Sequence, residues 1–291
     1  MRTRQDLWSG LRAGRPALVL ARAGDPLMKE GRARLIWAAN IADALGELGY
    51  RVHLAGTGGY SWNPLFWRAR LEREPPSPAL KRFYAVEGRF HATEFRLPAF
   101  LKARGARFLE SGDYQLRHFL TPRVLGRFGL IHTRDWRVVE NAVSAGVPTL
   151  YEDHHESFNI EQRSYPASIV HRTAFIGAVA ISDYVAEGML AKGLPAAKLV
   201  VENSGMNPRS LEPPTPERIR DWQQRLTGDR SAQSIVGYAG GLHEIRGIRL
   251  LLEAAARLPE VHFAVAGGRG RQAKAWREEA RHRELSNVQF L

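Results

Sequence analysis

A short stretch in the last quarter of the chain combines the residue types that hold a phosphate. It runs from Ser234 to Glu253 and reads SIVGYAGGLHEIRGIRLLLE, which is an apolar strand-like run, a glycine pair and a helix-periodic segment. Gly240 and Gly241 would let backbone N–H groups approach an anion closely. A helix starting near Gly247 directs the positive end of its dipole there, and Arg246 adds a fixed charge. The alternative is a simple turn of the chain, because glycine pairs are common in α/β loops.

A second set of polar residues follows other strand-like segments. It comprises Arg134 and Asp135, the cluster Asp153-His154-His155-Glu156, and Asn203 with Ser204. Ligands of open parallel sheets bind beyond the carboxyl ends of the strands, so these residues are candidates for a binding site. Adjacent side chains seldom converge on one ion, so we expect no metal at residues 153–156. A histidine of an ordinary surface loop is the alternative interpretation of His154.

The elements that must position these residues alternate between strand and helix. The expected strands are Ala17–Arg22, Arg51–Ala55, Gly129–His132, Thr149–Glu152, Ala178–Ile181, Lys198–Val201, a run from Ile235, Val261–Ala266 and Val288–Leu291. Gly56-Thr57-Gly58-Gly59 is expected to form a flexible turn. Residues 60–128 show no clear pattern beyond a short helix around Leu65–Leu71 and a strand near Phe90–Leu97.

This alternation predicts an α/β fold with two Rossmann-like, doubly wound parallel sheets. The composition becomes rich in proline and charge after Asn207. We therefore expect a first domain at residues 1–207, a linker at 208–230 and a second domain at 231–291.

The composition is that of a globular protein without disulfides. The 291 residues are 44% hydrophobic and 25% charged, and the lack of cysteine excludes a disulfide framework and a thiolate metal site. No apolar run approaches the roughly 20 residues that span a bilayer. The apolar run near the N-terminus is broken by Arg22 and has no cleavage site, so we expect a first strand rather than a signal peptide, and a cytoplasmic protein.

Positive charge is concentrated in the first half of the chain. Between Pro64 and Phe128 there are 13 Lys and Arg against six Asp and Glu, an excess that is more than half of the net charge of +12. Aromatic residues are interleaved with them, which would suit nucleic acid, an anionic membrane surface or an anionic acceptor molecule. A solvated basic face over an ordinary core is the alternative. No zinc-finger spacing or RNA-binding aromatic signature is present, so nucleic acid is the least supported use.

Five segments resemble, in order, the nucleotide-sugar-dependent glycosyltransferases of family 4, which are retaining enzymes with the GT-B fold. They are IWAANIADALGELGYRVHLA, GLIHTRDW, AGVPTLYEDHHE, AFIGAVAISDYVAEGMLAKGLPAAKLVVENSGMN and GYAGGLHEIRGIRLLLEAAARLPEVHFAVAGGRGRQ. The resemblance implies a GT-B-like architecture, a nucleotide-sugar donor, a saccharide or lipid-linked acceptor, and transfer with retention of configuration. It implies no metal or other cofactor, and the absence of an Asp-x-Asp pair agrees with this.

The resemblance also assigns donor contacts to single residues. Residues of the second domain's first loop that match the family are Gly240, Leu242, His243 and Gly247. Gly241 stands where the family has an arginine, and Arg246 where it has a lysine, both of which hold the donor diphosphate. The second exchange keeps the charge, whereas the first removes it. The expected donor-binding residues are Gly240, Gly241, His243, Arg246 and Ser204.

His154 matches the family's histidine near the transferred sugar, with Glu152 ahead of it, and is the expected catalytic residue. We assign Arg68, Arg70 and Arg73 to an acceptor-side or membrane-facing surface, which would place the protein at the inner face of a membrane as a peripheral protein.

The family's second domain continues past the point that matches Leu291, with a Glu-x7-Glu motif that contacts the donor. We therefore expect an incomplete second domain, either in a fragment, in a chain completed by a partner, or in a protein that has lost activity. A catalytically inactive GT-B binding or scaffold protein is the main alternative function, and a basic nucleic-acid-binding protein is the lesser one.

Overall fold

The computed structural model describes residues 14–28, 33–63, 75–100, 108–154, 164–205, 207, 213–228, 234–268 and 270–291. The three arginines Arg68, Arg70 and Arg73 and the pair His155 and Glu156 lie outside these ranges. The chain divides into two compact units, Met1–Ser210 and Leu211–Leu291.

The first unit is built on a parallel sheet of seven strands. Along the chain these are β1 (Ala17–Leu20), β2 (Val52–Ser61), β3 (His91–Pro98), β4 (Leu130–Thr133), β5 (Thr149–Asp153), β6 (Phe175–Ala180) and β7 (Leu199–Val201). They lie in the order β3-β2-β1-β4-β5-β6-β7, and every neighbouring pair is parallel. The strand order therefore runs outward in both directions from the β1–β4 pair, which defines a doubly wound sheet.

Helices cover both faces of this sheet. They are α1 (Ala33–Glu47), α2 (Pro78–Tyr84), α3 (Phe108–His118), α4 (Pro122–Leu125), α5 (Trp136–Ser144), α6 (Ala167–Val170) and α7 (Asp183–Ala191). Val19 of β1 belongs to a buried cluster with Ala38 of α1, whereas Leu18 belongs to another cluster with Val138 of α5. Since alternate residues of a strand face opposite sides, both faces of β1 are buried.

Two helix ends follow the sequence signals closely. Gly49 has a φ of 85° and ends α1, because a residue after a helix commonly adopts the left-handed conformation that glycine permits. The Ser182 side chain accepts a hydrogen bond of 3.3 Å from the Val185 N–H and caps α7.

The expected turn at Gly56 to Gly59 is wrong, because β2 continues through it to Ser61. The Thr57 N–H donates to Asp25 O at 2.7 Å, and the Leu27 N–H donates to Thr57 O at 3.2 Å. A Cβ on Gly56 would lie 2.7 Å from Leu27 Cα. Gly56 is thus required for a close backbone approach within a strand, and it does not mark a turn.

Several of the aromatic residues between Tyr60 and Phe128 belong to the core. Phe90, Phe95, Phe119 and Phe128 are at most 3% exposed, whereas Phe83 is 40% and Trp62 71% exposed. The interleaving of aromatic and basic residues therefore arises, within the described ranges, partly from an apolar interior beneath a basic exterior.

The second unit contains a smaller parallel sheet. Its strands are β8 (Ile235–Ala239), β9 (His262–Ala266) and β10 (Val288–Phe290), and its helices are α8 (Pro216–Thr227), α9 (Ile248–Arg257) and α10 (Arg271–His282). The strands are parallel in the order β10-β9-β8. Leu242, Ile248, Val265 and Ala273 form its buried centre. None of the described helices of the protein is long and apolar enough to cross a membrane.

Candidate functional site

The carboxyl ends of β1 and β4 lie side by side where the strand order of the first sheet reverses. Open parallel sheets bind their ligands at this point, because the connecting segments diverge there and leave a crevice. The segments that border it are residues 21–25 after β1 and Arg134 with Asp135 after β4. Glu152 and His154 belong to β5 and its end, one strand further along.

The segment after β1 is fixed by an ion pair to α1. The Asp25 carboxylate is buried and accepts two hydrogen bonds from the Arg34 guanidinium, from Nε at 2.5 Å and from Nη2 at 2.7 Å. This two-point geometry is the strong form of an Arg–carboxylate pair. The hydrogen bond with Asp25 raises the pKa of Arg34.

The Asp135 carboxylate connects the two segments that border the crevice. It accepts a hydrogen bond of 3.0 Å from the Ala23 N–H and another of 3.0 Å from the Arg137 N–H, which caps α5. The Arg137 guanidinium also donates to it, at 3.1 and 2.9 Å. The sequence singled out Asp135 as a site candidate, but its carboxylate is occupied by structural hydrogen bonds.

A buried carboxylate lies between two histidines next to the crevice. Glu152 Oε2 is 3.0 Å from His132 Nε2, and Glu152 Oε1 is 2.5 Å from His154 Nε2. Glu152 and His132 are each 6% exposed. The strand register explains the contact, because His132 is paired with Leu150 and Glu152 lies two residues further on the same face of β5.

These contacts fix which nitrogen of each ring carries a proton. Burial disfavours the charged form of Glu152, but the hydrogen bonds from His132 and His154 outweigh it and lower the pKa of Glu152 to about 2. An ionised carboxylate only accepts hydrogen bonds, so both rings donate through Nε2. The Nδ1 atom of His154 is then the ring nitrogen that Glu152 does not engage.

An indole and a guanidinium complete this cluster. The Trp37 ring contacts His132 and His154 edge to face, at centroid distances of 5.2 and 6.0 Å. Arg134 Cζ lies 5.5 Å from the Trp37 ring centroid, which is within the range of a cation–π interaction. Trp37 Nε1 is buried and has no hydrogen-bond partner among the residues that the structure describes.

In the second unit, the loop after β8 differs from the expected phosphate cradle. The Gly240 N–H donates to Ala266 O at 3.0 Å, so this amide joins two strand ends and is not directed at a ligand. A Cβ on Gly267 would lie 1.9 Å from Gly240 O, so the loops after β8 and β9 are in backbone contact. The assignment of Gly240 to the donor stays a prediction, with its amide bonded within the protein.

The remaining residues of this loop stay available as predicted donor contacts. His243 and Arg246 are exposed, and a short 3-10 turn (Glu244–Arg246) separates them from α9. His243 Nδ1 lies 3.1 Å from Gln272 Nε2, which links the loop to α10. Gly247 has a φ of 77° and directly precedes α9, as the sequence predicts.

The structure groups the predicted site residues by unit. Gly240, Gly241, His243 and Arg246 share one loop of the second unit, whereas His154 and the exposed Ser204 belong to the first unit. Sequence reasoning did not single out His132 or Trp37. The histidine in GLIHTRDW could have signalled the first, but its contact with Glu152 depends on the pairing of β4 with β5.

No family model and no curated protein matches the chain. Solved structures do match. HepE from Anabaena, crystallised with UDP and glucose, aligns with a TM-score of 0.61 and 17% identity over 94% of this chain and 68% of its own. Sucrose-phosphate synthase from Thermosynechococcus elongatus aligns with a TM-score of 0.56 and 18% identity, over 95% and 70%. UDP-GlcNAc 2-epimerase from Neisseria meningitidis aligns with a TM-score of 0.52 and 13% identity, over 95% and 71%.

The chain has the GT-B fold. The match extends over nearly all of the chain and includes both units, so it confirms the α/β class and the two Rossmann-like sheets expected from the sequence. In the GT-B frame, the cluster of Glu152, His132 and His154 lies at the carboxyl edge of the first sheet, and the loop with Arg246 follows the first strand of the second sheet.

Proposed function

We propose that the protein transfers a sugar from a nucleotide-diphosphate-sugar donor to an acceptor, with retention of configuration. The observation that carries the proposal is the likeness to HepE, whose crystals contain UDP with glucose, and UDP-glucose. The polar residues of both units lie at the carboxyl edges of parallel sheets, where such ligands bind. The transfer requires no metal or other cofactor in this proposal.

The loop after β8 would hold the donor diphosphate. Arg246 is exposed there and supplies a permanent positive charge, which a departing diphosphate needs because negative charge develops on it. His243 is held by Gln272 beside it and could donate or accept a hydrogen bond. Gly241 offers no side chain, so Arg246 would carry most of the electrostatic contribution of this loop.

His154 would contact the transferred sugar from the first unit. Glu152 fixes its orientation and leaves Nδ1 to face the ligand. A ring held in one tautomer by a buried carboxylate places a hydrogen-bonding atom without a further loss of entropy during the reaction. His132 holds the other oxygen of the same carboxylate and so keeps the arrangement rigid.

Two other functions fit the same fold. A GT-B protein that binds a nucleotide without catalysis is favoured by Gly241, which removes an expected charge. An epimerase is favoured by the likeness to UDP-GlcNAc 2-epimerase, which shows that this fold is not confined to transferases. Binding of a nucleotide would not separate these functions from transfer, whereas the products would.

The test measures nucleotide binding and sugar transfer separately. We expect UDP or another nucleoside diphosphate to raise the melting temperature, and a nucleotide-sugar with a suitable acceptor to yield a glycoside. His154→Ala should lower the transfer rate about a hundredfold or more with little change in nucleotide affinity. Arg246→Gln should weaken nucleotide binding about tenfold or more.

Arg218→Gln on α8, which is exposed, serves as a charge-matched control for Arg246→Gln. Nucleotide binding without product would support the inactive binding protein. An epimerised sugar nucleotide formed without acceptor would support the epimerase, and no effect of any nucleotide would contradict all three functions.

A further inference from the structure

Arg134 is a cation placed at the reversal of strand order in the first sheet. It directly follows β4, and its guanidinium lies over the face of Trp37 with Cζ 5.5 Å from the ring centroid. The side chain is partly buried. The cation–π contact with the indole restrains the guanidinium, whose N–H groups remain able to donate to a ligand.

The carboxylates around this position are bonded to other groups. Glu152 has one oxygen on His132 and the other on His154. Asp135 is bonded to Arg137 and to the Ala23 amide, as described above.

Two further acids complete the surroundings. Asp25 is bonded to Arg34 through both oxygens, and Asp153 hydrogen-bonds with Tyr151. No hydrogen bond or ion pair to the Arg134 side chain occurs within the part of the chain that the structure describes.

A guanidinium in this position favours an incoming anion. Burial lowers the pKa of Arg134, and the nearby charges of Glu152 and Asp153 raise it, so the cation is partly desolvated without a direct partner. Arg34 adds positive charge close by, although it is paired with Asp25. Two parallel N–H donors of an arginine match the oxygens of a phosphate or a carboxylate.

We propose that Arg134, in cation–π contact with Trp37, binds an anionic substituent of the acceptor, a phosphate or a carboxylate carried by a sugar. The inference rests on the proposed sugar transfer and names the chemical class of its acceptor. The acceptor is the preferred source of the anion because the charged part of the donor is its diphosphate, which is assigned to Arg246 of the second unit, whereas Arg134 belongs to the first. An uncharged sugar would leave the guanidinium desolvated and unpaired, which costs binding free energy.

Calorimetric titration of the full chain tests this site with four ligands: glucose 6-phosphate, glucuronate, glucose and UDP. We expect at least one of the two anionic sugars to bind about tenfold or more tightly than glucose. Arg134→Gln should remove that difference, Arg134→Lys should retain part of it, and Trp37→Leu should reduce it. Arg123→Gln on α4 changes the same charge on an exposed side chain and should have no effect.

Each outcome distinguishes the anion site from the proposed function. Equal affinity of the wild-type protein for glucose and both anionic sugars would overturn the anion site, as would an equal loss in Arg123→Gln. Loss of UDP affinity in Arg134→Gln, by the same factor as for the sugars, would assign the guanidinium to the donor and overturn the acceptor assignment. Binding of an anionic sugar without any binding of nucleotides would support the site and contradict the transferase. Circular dichroism and melting of each variant show whether it is folded.

Discussion

At the scale of single residues, the carboxylate of Glu152 organises the first unit's site. It is 6% exposed and accepts hydrogen bonds from two imidazoles on different sides. The sequence could point to His154, because it stands in a polar cluster after an expected strand. It could not point to His132 as its indirect partner, because the pairing register of β4 and β5 is a tertiary property.

Neutralising Glu152 should change how stability depends on pH. Its pKa is lowered to about 2 in the folded protein, so its contribution is fully present above the unfolded pKa and is lost as pH falls toward 2. Glu152→Gln cannot ionise and offers a donor where His132 or His154 also donates. We expect the variant to lose about 1–3 kcal/mol at pH 7, and less at pH 3, in urea unfolding.

The exposed Glu47, which pairs with Arg89 at the surface, provides the matched control. Glu47→Gln should change the free energy of unfolding by less than about 1 kcal/mol at either pH. A difference between wild type and Glu152→Gln that is the same at pH 7 and pH 3 would contradict the ionised, hydrogen-bonded state of Glu152.

At the scale of elements, the strands outside residues 60–128 follow the alternating pattern of the sequence, whereas α2, α3 and α4 lie in the stretch where the sequence shows no clear pattern. The strand that departs most from its prediction is β2. Apolar periodicity ends at Ala55, but the strand continues to Ser61 because it stays paired with β3 over this length. The segment after β1 adds backbone hydrogen bonds on the other side of Thr57. Glycines of a strand that contacts another backbone look, in sequence, like glycines of a turn. Only the fold shows that Leu27 lies against Gly56.

A methyl group at Gly56 should therefore disturb the segment that holds Asp25. The added Cβ of Gly56→Ala would lie 2.7 Å from Leu27 Cα and 2.8 Å from Leu27 N, and backbone atoms cannot move aside as a flexible side chain can. We expect a loss of about 1–3 kcal/mol in the free energy of unfolding, measured by chemical denaturation.

Gly237→Ala in β8 is the comparison, since a Cβ there has no heavy atom within 4 Å. It should be neutral or slightly stabilising, because alanine loses less conformational entropy than glycine on folding. Equal stability of the two variants would show that the contact at Gly56 is not restrictive.

At the scale of the whole molecule, the protein has two α/β units, each with a parallel sheet, and an excess of positive charge. The fold class followed from the sequence because strand–helix alternation leaves few arrangements for the chain. The role of the positive charge could not be predicted from the sequence, because a count of arginines does not show which surface of the folded protein they occupy. Several of the aromatic residues in the basic region between Pro64 and Phe128 are core residues and cannot contact a membrane, so a membrane-facing surface there would depend strongly on charge.

The basic segment before Pro75 provides the test of that surface. Reversing charge at Arg68, Arg70 and Arg73 together should weaken binding to vesicles rich in phosphatidylglycerol, by about tenfold at low salt, and the difference should shrink as salt is added. Sedimentation with the vesicles measures it. The same triple reversal at Arg218, Arg220 and Arg225 of α8 changes net charge equally. Equal weakening by both sets would mean that net charge alone acts, and no weakening would contradict a membrane-facing role.

Trp37 lies where its fluorescence would report on the site of the first unit. Its ring contacts a guanidinium and two imidazoles, and its Nε1 has no acceptor among the described residues. The emission of an indole responds to neighbouring charge and to hydrogen bonding at this nitrogen. The site thus contains an intrinsic fluorophore. A ligand that neutralises Arg134 or reorients His154 would change the wavelength and intensity of tryptophan emission, so binding could be followed without an attached dye.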